Sequence, residues 1–194
     1  MTTAPTFTAA LVQMRTGRDV TVNIADVSGL VSEAAAQGAD LAITPEMTSL
    51  LETKSERLFA STFEEKDDPA LAALRALAAA RKIWLLIGSL PVKVSPQKLA
   101  NRSFLIAPDG GIAARYDKIH MFDVDLAGGE SYRESRNFEP GRAAVVAEAA
   151  HDEPGVVLVE IDTARIAEAR ARVPSLGYDR DFALPVVRAE RRAS

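Results

Sequence analysis

Residues 40–46 read Asp-Leu-Ala-Ile-Thr-Pro-Glu, a short apolar segment that ends in a proline and a carboxylate. The apolar run predicts a buried strand over 40–44. Before it, residues 23–37 carry apolar side chains at the three- and four-residue spacing of a helix with one buried face, and Gly38 ends that pattern. A helix followed by a buried strand indicates an α/β arrangement.

The alternation of strands and helices continues along the chain. Asp68 followed by Pro69 predicts a helix that begins there and runs to Lys82, because aspartate caps helix N-termini and proline suits the first helical position. Residues 108–111, Pro-Asp-Gly-Gly, predict a hairpin turn. The other predicted elements are strands over 6–14, 83–92, 102–107, 112–116, 143–147 and 156–161 and a last helix over 163–173. We therefore expect a mixed α/β sheet covered by helices.

A long segment without periodicity separates the predicted strands in the second half. It runs from Asp117 to Gly141. Loops of this length inside a domain are more often functional than idle. Ligands in α/β folds gather at the carboxyl ends of strands, so polar residues there are the first to inspect.

Composition and charge exclude several classes of protein. The 194 residues are 47% hydrophobic and 26% charged, which is typical of one globular domain. The net charge of −4 gives no basic field for nucleic acid. The apolar runs are far shorter than the about 20 residues that span a bilayer, and residues 1–5 carry no signal-peptide pattern. We expect a cytoplasmic protein with no nucleic-acid or membrane partner.

The count of cysteines is zero, and the chain has two histidines. A chain without cysteine forms no disulfide, thiolate nucleophile or thiolate metal site. Metal centres usually need three or four ligands, so we expect neither a metal nor another cofactor.

Two residues after predicted strands could carry chemistry. Glu46 directly follows the strand over 40–44, and burial against apolar walls would raise its pKa, which suits a general base. Lys118 follows the strand over 112–116 and could stabilise a developing negative charge. Each could equally be a solvated side chain beside a strand end.

The long loop supplies further candidates. Glu130 and Glu134 could orient a base or a substrate, or could belong to a solvated acidic loop. His120 and Asp123 are equally well explained as hydrogen-bond partners that anchor the loop. No G-x-S-x-G motif occurs, so a serine triad is not supported.

Taken together, these segments resemble the nitrilase superfamily of carbon-nitrogen hydrolases, in the branch of omega-amidase and deaminated glutathione amidase. The resemblance is carried by Ala-Ala-Leu-Val-Gln-Met at 9–14, Thr-Pro-Glu at 44–46, Tyr-Asp-Lys-Ile-His at 116–120, Phe-Asp-Val-Asp at 122–125, Tyr-Arg-Glu-Ser at 132–135, and the closing stretches 155–170 and 174–176. The combined spacing is specific, whereas each motif alone is weak.

The resemblance implies an αββα sandwich, homo-oligomers and a Glu-Lys-Cys triad that hydrolyses small amides. Its substrates would be the ω-amide of a dicarboxylate or a molecule like deaminated glutathione. Glu46 would be the general base and Lys118 would stabilise the tetrahedral intermediate, with Glu134 positioning Lys118 or the substrate. The cysteine would attack the amide carbon, release ammonia and leave a thioester for water to hydrolyse.

The chain departs from the family where the nucleophile should lie. The segment before residue 146 passes directly into one that resembles the family's closing part, so the join lies near Val146 and Ala147. About 80 residues would be missing, room for more than two βαβ units. We expect one shortened domain over 1–194, a partial sandwich without inner strands, and a C-terminal extension over 174–194.

Three hypotheses remain for the chain. The first is a nitrilase-superfamily member by descent that does not hydrolyse amides, because its nucleophile is absent. The second is a noncatalytic protein that pairs with an intact relative. The third is a shortened gene product.

Overall fold

The computed structural model describes residues 7–125 and 131–143. Glu130, the expected join near 146–147 and the elements predicted beyond residue 143 lie outside the described residues.

The described part is a five-stranded mixed sheet with two helices packed on it and a small two-stranded ribbon. Its elements are β1 (Ala9–Leu11), α1 (Val20–Ala36), β2 (Leu41–Ile43), α2 (Ser55–Ala60), α3 (Pro69–Arg81), β3 (Trp84–Ser95), β4 (Lys98–Ile106), β5 (Ile112–Asp117), β6 (Asp123–Asp125) and β7 (Ser131–Arg133). The sheet order is β1-β2-β3-β4-β5. Strands β1, β2 and β3 are parallel, whereas β3, β4 and β5 are antiparallel. The predicted mixed α/β class is confirmed.

The main core lies between the sheet and helices α1 and α3. Val31 from α1 and Leu74 from α3 are fully buried against Leu85, Ile87 and Phe104 of the sheet. Fully burying an aliphatic side chain contributes roughly 1.5–3 kcal/mol, so this layer holds the helices on one face. The polar residues discussed below then meet beyond the carboxyl ends of β2 and β5.

Helix boundaries follow their caps. The side chain of Asp68 accepts the Leu71 N–H at 2.8 Å, so α3 begins at Pro69 as predicted. Helix α1 begins at Val20, before the predicted start at residue 23, because Asp19 caps it through the N–H groups of Thr21 and Val22.

The described parts of the segment over 117–141, residues 117–125 and 131–141, contain elements that were not predicted. These are β6 and β7, which pair antiparallel with Val124 opposite Tyr132, and a 3-10 turn over Glu134–Arg136. The sequence did not indicate these strands because each has three residues, too few for an alternating pattern. Helix α2 was missed as well, since its N-cap Lys54 makes no side-chain cap.

Candidate active site

Three charged side chains from distant parts of the sequence meet at one edge of the sheet. Glu46 lies in the loop after β2, Lys118 directly follows β5, and Glu134 begins the 3-10 turn after β7. Lys118 Nζ lies 2.9 Å from Glu46 Oε1, and 2.9 and 3.3 Å from the two carboxylate oxygens of Glu134. We call Glu46, Lys118 and Glu134 the charged trio.

Asn101 of β4 touches both carboxylates and was missed by the sequence analysis. Its side-chain amide donates to Glu46 Oε1 at 2.7 Å and to Glu134 Oε1 at 3.2 Å. The residue is 2% exposed. Asn101 lies just before the predicted strand over 102–107, so no sequence pattern marked it. Its burial is evident only in the fold, where a buried amide needs hydrogen-bond partners.

The members of the charged trio differ in exposure. The side chain of Glu134 is 14% exposed, that of Lys118 is 29% exposed and that of Glu46 is 57% exposed. Glu134 therefore lies on the buried side of the site, and Glu46 lies on the side open to solvent. A ligand above the trio would meet the Glu46 carboxylate, which can accept a proton or a hydrogen bond.

The pKa of Glu46 is lowered from 4.5, which corrects the expectation that it is raised. Burial acts upward on the pKa, as expected, but the hydrogen bonds from Lys118 and Asn101 and the charge of Lys118 outweigh burial. The pKa of Lys118 is raised: burial acts downward, and the two carboxylates of Glu46 and Glu134 outweigh it. The ionised form of each residue is thus favoured, with a cation between two carboxylates.

The loop that carries Glu46 is fastened to β3. Met47 N–H donates to Ser89 Oγ at 2.9 Å, and Thr48 N–H donates to the Ser89 carbonyl at 2.9 Å. Met47 has a φ of 55°, a left-handed conformation that is uncommon for a side chain other than glycine. This strained conformation directly follows Glu46, at the point where the loop is bonded to Ser89.

Lys118 is held through its backbone on two sides. Its N–H donates to the Asn101 carbonyl at 2.9 Å, and its carbonyl accepts the Gly141 N–H at 2.8 Å. A Cβ at Gly141 would lie 2.1 Å from the Asp117 carbonyl oxygen, so only glycine permits this approach. The segment around Gly141 thereby fixes the start of the loop after β5.

Two exposed aromatic side chains belong to the segment that leads to Glu134. Phe122 is 54% exposed and Tyr132 is 49% exposed, and their ring centroids lie 6.4 Å apart. The Phe122 N–H donates to Glu134 Oε2 at 2.6 Å. The backbone of the segment that carries this aromatic pair is thus bonded to Glu134.

Asp123 and His120 of the loop, and Thr44 of the motif at 44–46, lie outside the charged trio. Asp123 accepts the backbone N–H of Ser135 at 3.0 Å and its hydroxyl at 2.5 Å, so Asp123 anchors the loop. His120 is exposed. Thr44 is buried, and its hydroxyl bonds that of Thr48 at 2.7 Å.

In the described residues, the charged trio is neither a metal site nor part of the cavity lined by Arg102 and Arg115. Over 7–125 and 131–143, no group of three side chains converges as metal ligands. A surface cavity of about 440 Å³ is lined by Arg102, Arg115, Asp117 and Arg142, and its lining includes none of the trio. No helix in the described ranges is long and apolar enough to cross a membrane.

Comparison with known proteins identifies the class. The family model for carbon-nitrogen hydrolases matches residues 8–146. The chain therefore belongs to the carbon-nitrogen hydrolase family, the nitrilase superfamily, as its motifs predicted.

Particular relatives refine the likeness. The chain is 32% identical over 142 residues to the deaminated glutathione amidase of Yersinia enterocolitica, covering 72% of this chain and 49% of that protein. It is 31% identical over 136 residues to omega-amidase NIT2 of Mus musculus, covering 70% and 48%. An amidase from Nesterenkonia sp. AN1, solved with acrylamide added to its active-site cysteine, superposes with a TM-score of 0.54 at 30% identity, covering 69% of this chain and 49% of that one. The chain thus spans about half the length of these relatives.

Proposed function

We propose that this chain retains the base and the cation of a carbon-nitrogen hydrolase site but, as the 194-residue chain, does not hydrolyse amides. The observation that carries the proposal is the combination of an assembled charged trio with a cysteine count of zero. Lys118 bridges two carboxylates, but the chain has no thiol that a carboxylate could deprotonate to form a nucleophile.

The roles follow from geometry and charge. In this proposal Glu46, the exposed carboxylate, is the group that would take a proton from a nucleophile. Lys118 would stabilise the negative charge of a tetrahedral intermediate, and Glu134 holds Lys118 in place from the buried side. Without a nucleophile, the trio can bind a small polar ligand but has no covalent intermediate to form.

Ammonia release tests this proposal. The purified 194-residue chain is incubated with an ω-amide such as α-ketoglutaramate, and with deaminated glutathione, while ammonia is measured. We expect no release above the rate without protein. The matched control is Glu46→Gln, which keeps the size of the side chain and removes the base. Sustained release that this substitution abolishes would overturn the proposal.

We also propose that the family pattern breaks near Val146 and Ala147. The family match that ends at residue 146 supports this position, as does the coverage of only about half of the relatives. Sequencing the locus across these two codons tests whether the break belongs to the natural gene. An uninterrupted, expressed frame of 194 codons supports a natural chain and contradicts a shortened artefact.

A second candidate function is noncatalytic pairing with an intact relative or with itself. It is favoured by β1, an edge strand of the sheet in the described ranges, on which Leu11 is 81% exposed. Exposed sheet edges pair readily with other chains. Gel filtration alone and with a full-length homologue tests this candidate, with Leu11→Lys as the variant expected to weaken pairing. A monomer indifferent to the homologue would exclude it.

A further inference from the structure

We infer that Asn101 is the positioning residue of the site, because one buried residue contacts every member of the charged trio. Its side-chain amide reaches Glu46 at 2.7 Å and Glu134 at 3.2 Å, and its backbone carbonyl accepts the Lys118 N–H at 2.9 Å. This inference deepens the proposed function and rests on it for the roles of Glu46 and Lys118.

The position of Asn101 in the sheet explains why it can do this. It lies in β4, between β3 and β5, opposite Pro91 in β3. Arg102, the next residue, pairs with Asp117 of β5, so Asn101 is level with Lys118, which follows β5. Asn101 is therefore fixed by strands on both sides, whereas Glu46 and Glu134 lie in connecting segments.

The chemistry of the amide suits two carboxylates. The NH2 group carries two hydrogens, so it can donate one to each carboxylate while adding no charge. An aspartate at this position would place a third negative charge beside Glu46 and Glu134, and an aliphatic residue would leave both without this donor. Asparagine keeps the carboxylates close enough to share Lys118.

The first test uses the unaltered chain. NMR signals of the Asn101 side-chain amide and of the Glu46 carboxyl carbon are followed while the pH falls from about 7 to about 3. We expect the Glu46 carboxyl to titrate below its ordinary pKa of 4.5 and the Asn101 amide signals to shift with the same midpoint, because the amide donates to that carboxylate. Asn101 amide signals that do not follow the Glu46 titration would overturn the inference.

The second test compares two substitutions on one strand. Asn101→Leu removes both donors, and we expect the pKa of Glu46 to rise by roughly one unit, since a hydrogen bond to an ionised group is lost. The control is Ser103→Ala, two residues further along β4, which removes the bond from Ser103 Oγ to the Gly88 carbonyl at 2.6 Å. A purely structural role for Asn101 predicts a lower melting temperature in both variants and an unchanged pKa of Glu46.

The outcomes separate this inference from the proposed function. An unchanged pKa of Glu46 in folded Asn101→Leu, or an equal rise in Ser103→Ala, would overturn the inference. If Asn101→Leu does not fold, the titration of the unaltered chain decides. Ammonia release would overturn the proposed function and leave both titrations as expected, because neither involves a substrate.

Discussion

Arg102 and Asp117 form a two-point ion pair across β4 and β5, with Nε 2.6 Å from Oδ1 and a terminal nitrogen 2.8 Å from Oδ2. Their side chains are only 19% and 30% exposed. Arg102 also contacts Glu65 at 2.8 Å, so Asp117, the residue before Lys118, belongs to a three-residue network. The network ties the end of β5 to β4 and to the segment that carries Glu65.

Replacing Asp117 with asparagine should lower stability. The change keeps the shape but removes the charge that Arg102 meets at two points, so we expect a loss of about 1–3 kcal/mol in the free energy of unfolding by urea. The control is Asp125→Asn on the exposed β6–β7 ribbon, which weakens a pair in which one terminal nitrogen of Arg133 contacts both oxygens of Asp125. We expect the control to keep its urea midpoint, and equal losses in both variants would contradict the account.

Glu134 and Glu46 should differ in their importance for stability. Glu134 is the less exposed carboxylate and accepts hydrogen bonds from Lys118, Asn101 and the Phe122 N–H. We therefore expect Glu134→Gln to cost about 1–3 kcal/mol, because buried donors lose an ionised acceptor.

The variant to compare with Glu134→Gln is Glu46→Gln. The Glu46 carboxylate is largely exposed, so we expect its replacement to cost less than about 1 kcal/mol of the free energy of unfolding. Thermal or urea unfolding compares the two variants. A larger loss for Glu46→Gln would contradict the arrangement of a buried support and an open base.

Substitution by alanine should change stability in opposite directions at two glycines. A Cβ at Gly88 would lie 2.3 Å from the Thr44 carbonyl oxygen, so Gly88→Ala must displace the loop that leads to Glu46. We expect a loss of about 1–3 kcal/mol, as for overpacked interiors. Gly29 lies inside α1 with nothing within 4 Å of its added Cβ.

For Gly29→Ala we expect a gain of about 0.5–1 kcal/mol, because glycine is unfavourable inside helices. Melting temperatures of the two variants check both signs. A stabilising Gly88→Ala would show that β3 does not fix the loop before Glu46.

Stability should fall in acid. The pKa values of Glu46 and Glu65 both lie below 4.5, because hydrogen bonds and the charges of their cationic partners outweigh the upward effect of burial. A lowered carboxyl pKa gives stability that is complete above 4.5 and is lost as the pH falls through the folded-state value. Urea midpoints measured from about pH 7 to pH 3 should therefore decline below about pH 4.5. Glu65→Gln should decline less steeply, and an unchanged slope would exclude Glu65 as a contributor.

Much of the fold was predictable because local signals agreed with the final packing. Asp68 and Pro69 mark the start of α3, and Pro108 to Gly111 mark the β4–β5 turn, since capping and turn chemistry act within a few residues. Strand positions were predictable from apolar runs, although the predicted strand ends differ from the observed ones by several residues. The ribbon of β6 and β7 was not predictable, because its pairing joins short polar segments.

Part of the cluster could be predicted from the sequence, but its electrostatics could not. Glu46, Lys118 and Glu134 were singled out by strand ends and motifs, and the structure brings these three side chains together, whereas Asn101 was missed. The pKa of Glu46 was expected to rise because the sequence places apolar residues before it, and the expectation was wrong because Asn101 and Lys118 donate to its carboxylate. Lys118 was itself a sequence candidate, but both hydrogen bonds join residues far apart along the chain, so local sequence could not indicate them.

The central claim is that this chain forms no covalent acyl intermediate, and intact mass measurement tests it most directly. The purified chain is incubated with an ω-amide, quenched in acid and weighed by mass spectrometry beside Glu46→Gln. The account predicts the unmodified mass for both proteins at every time point. A mass increase equal to the acyl group, present in the unaltered chain and absent from Glu46→Gln, would contradict it.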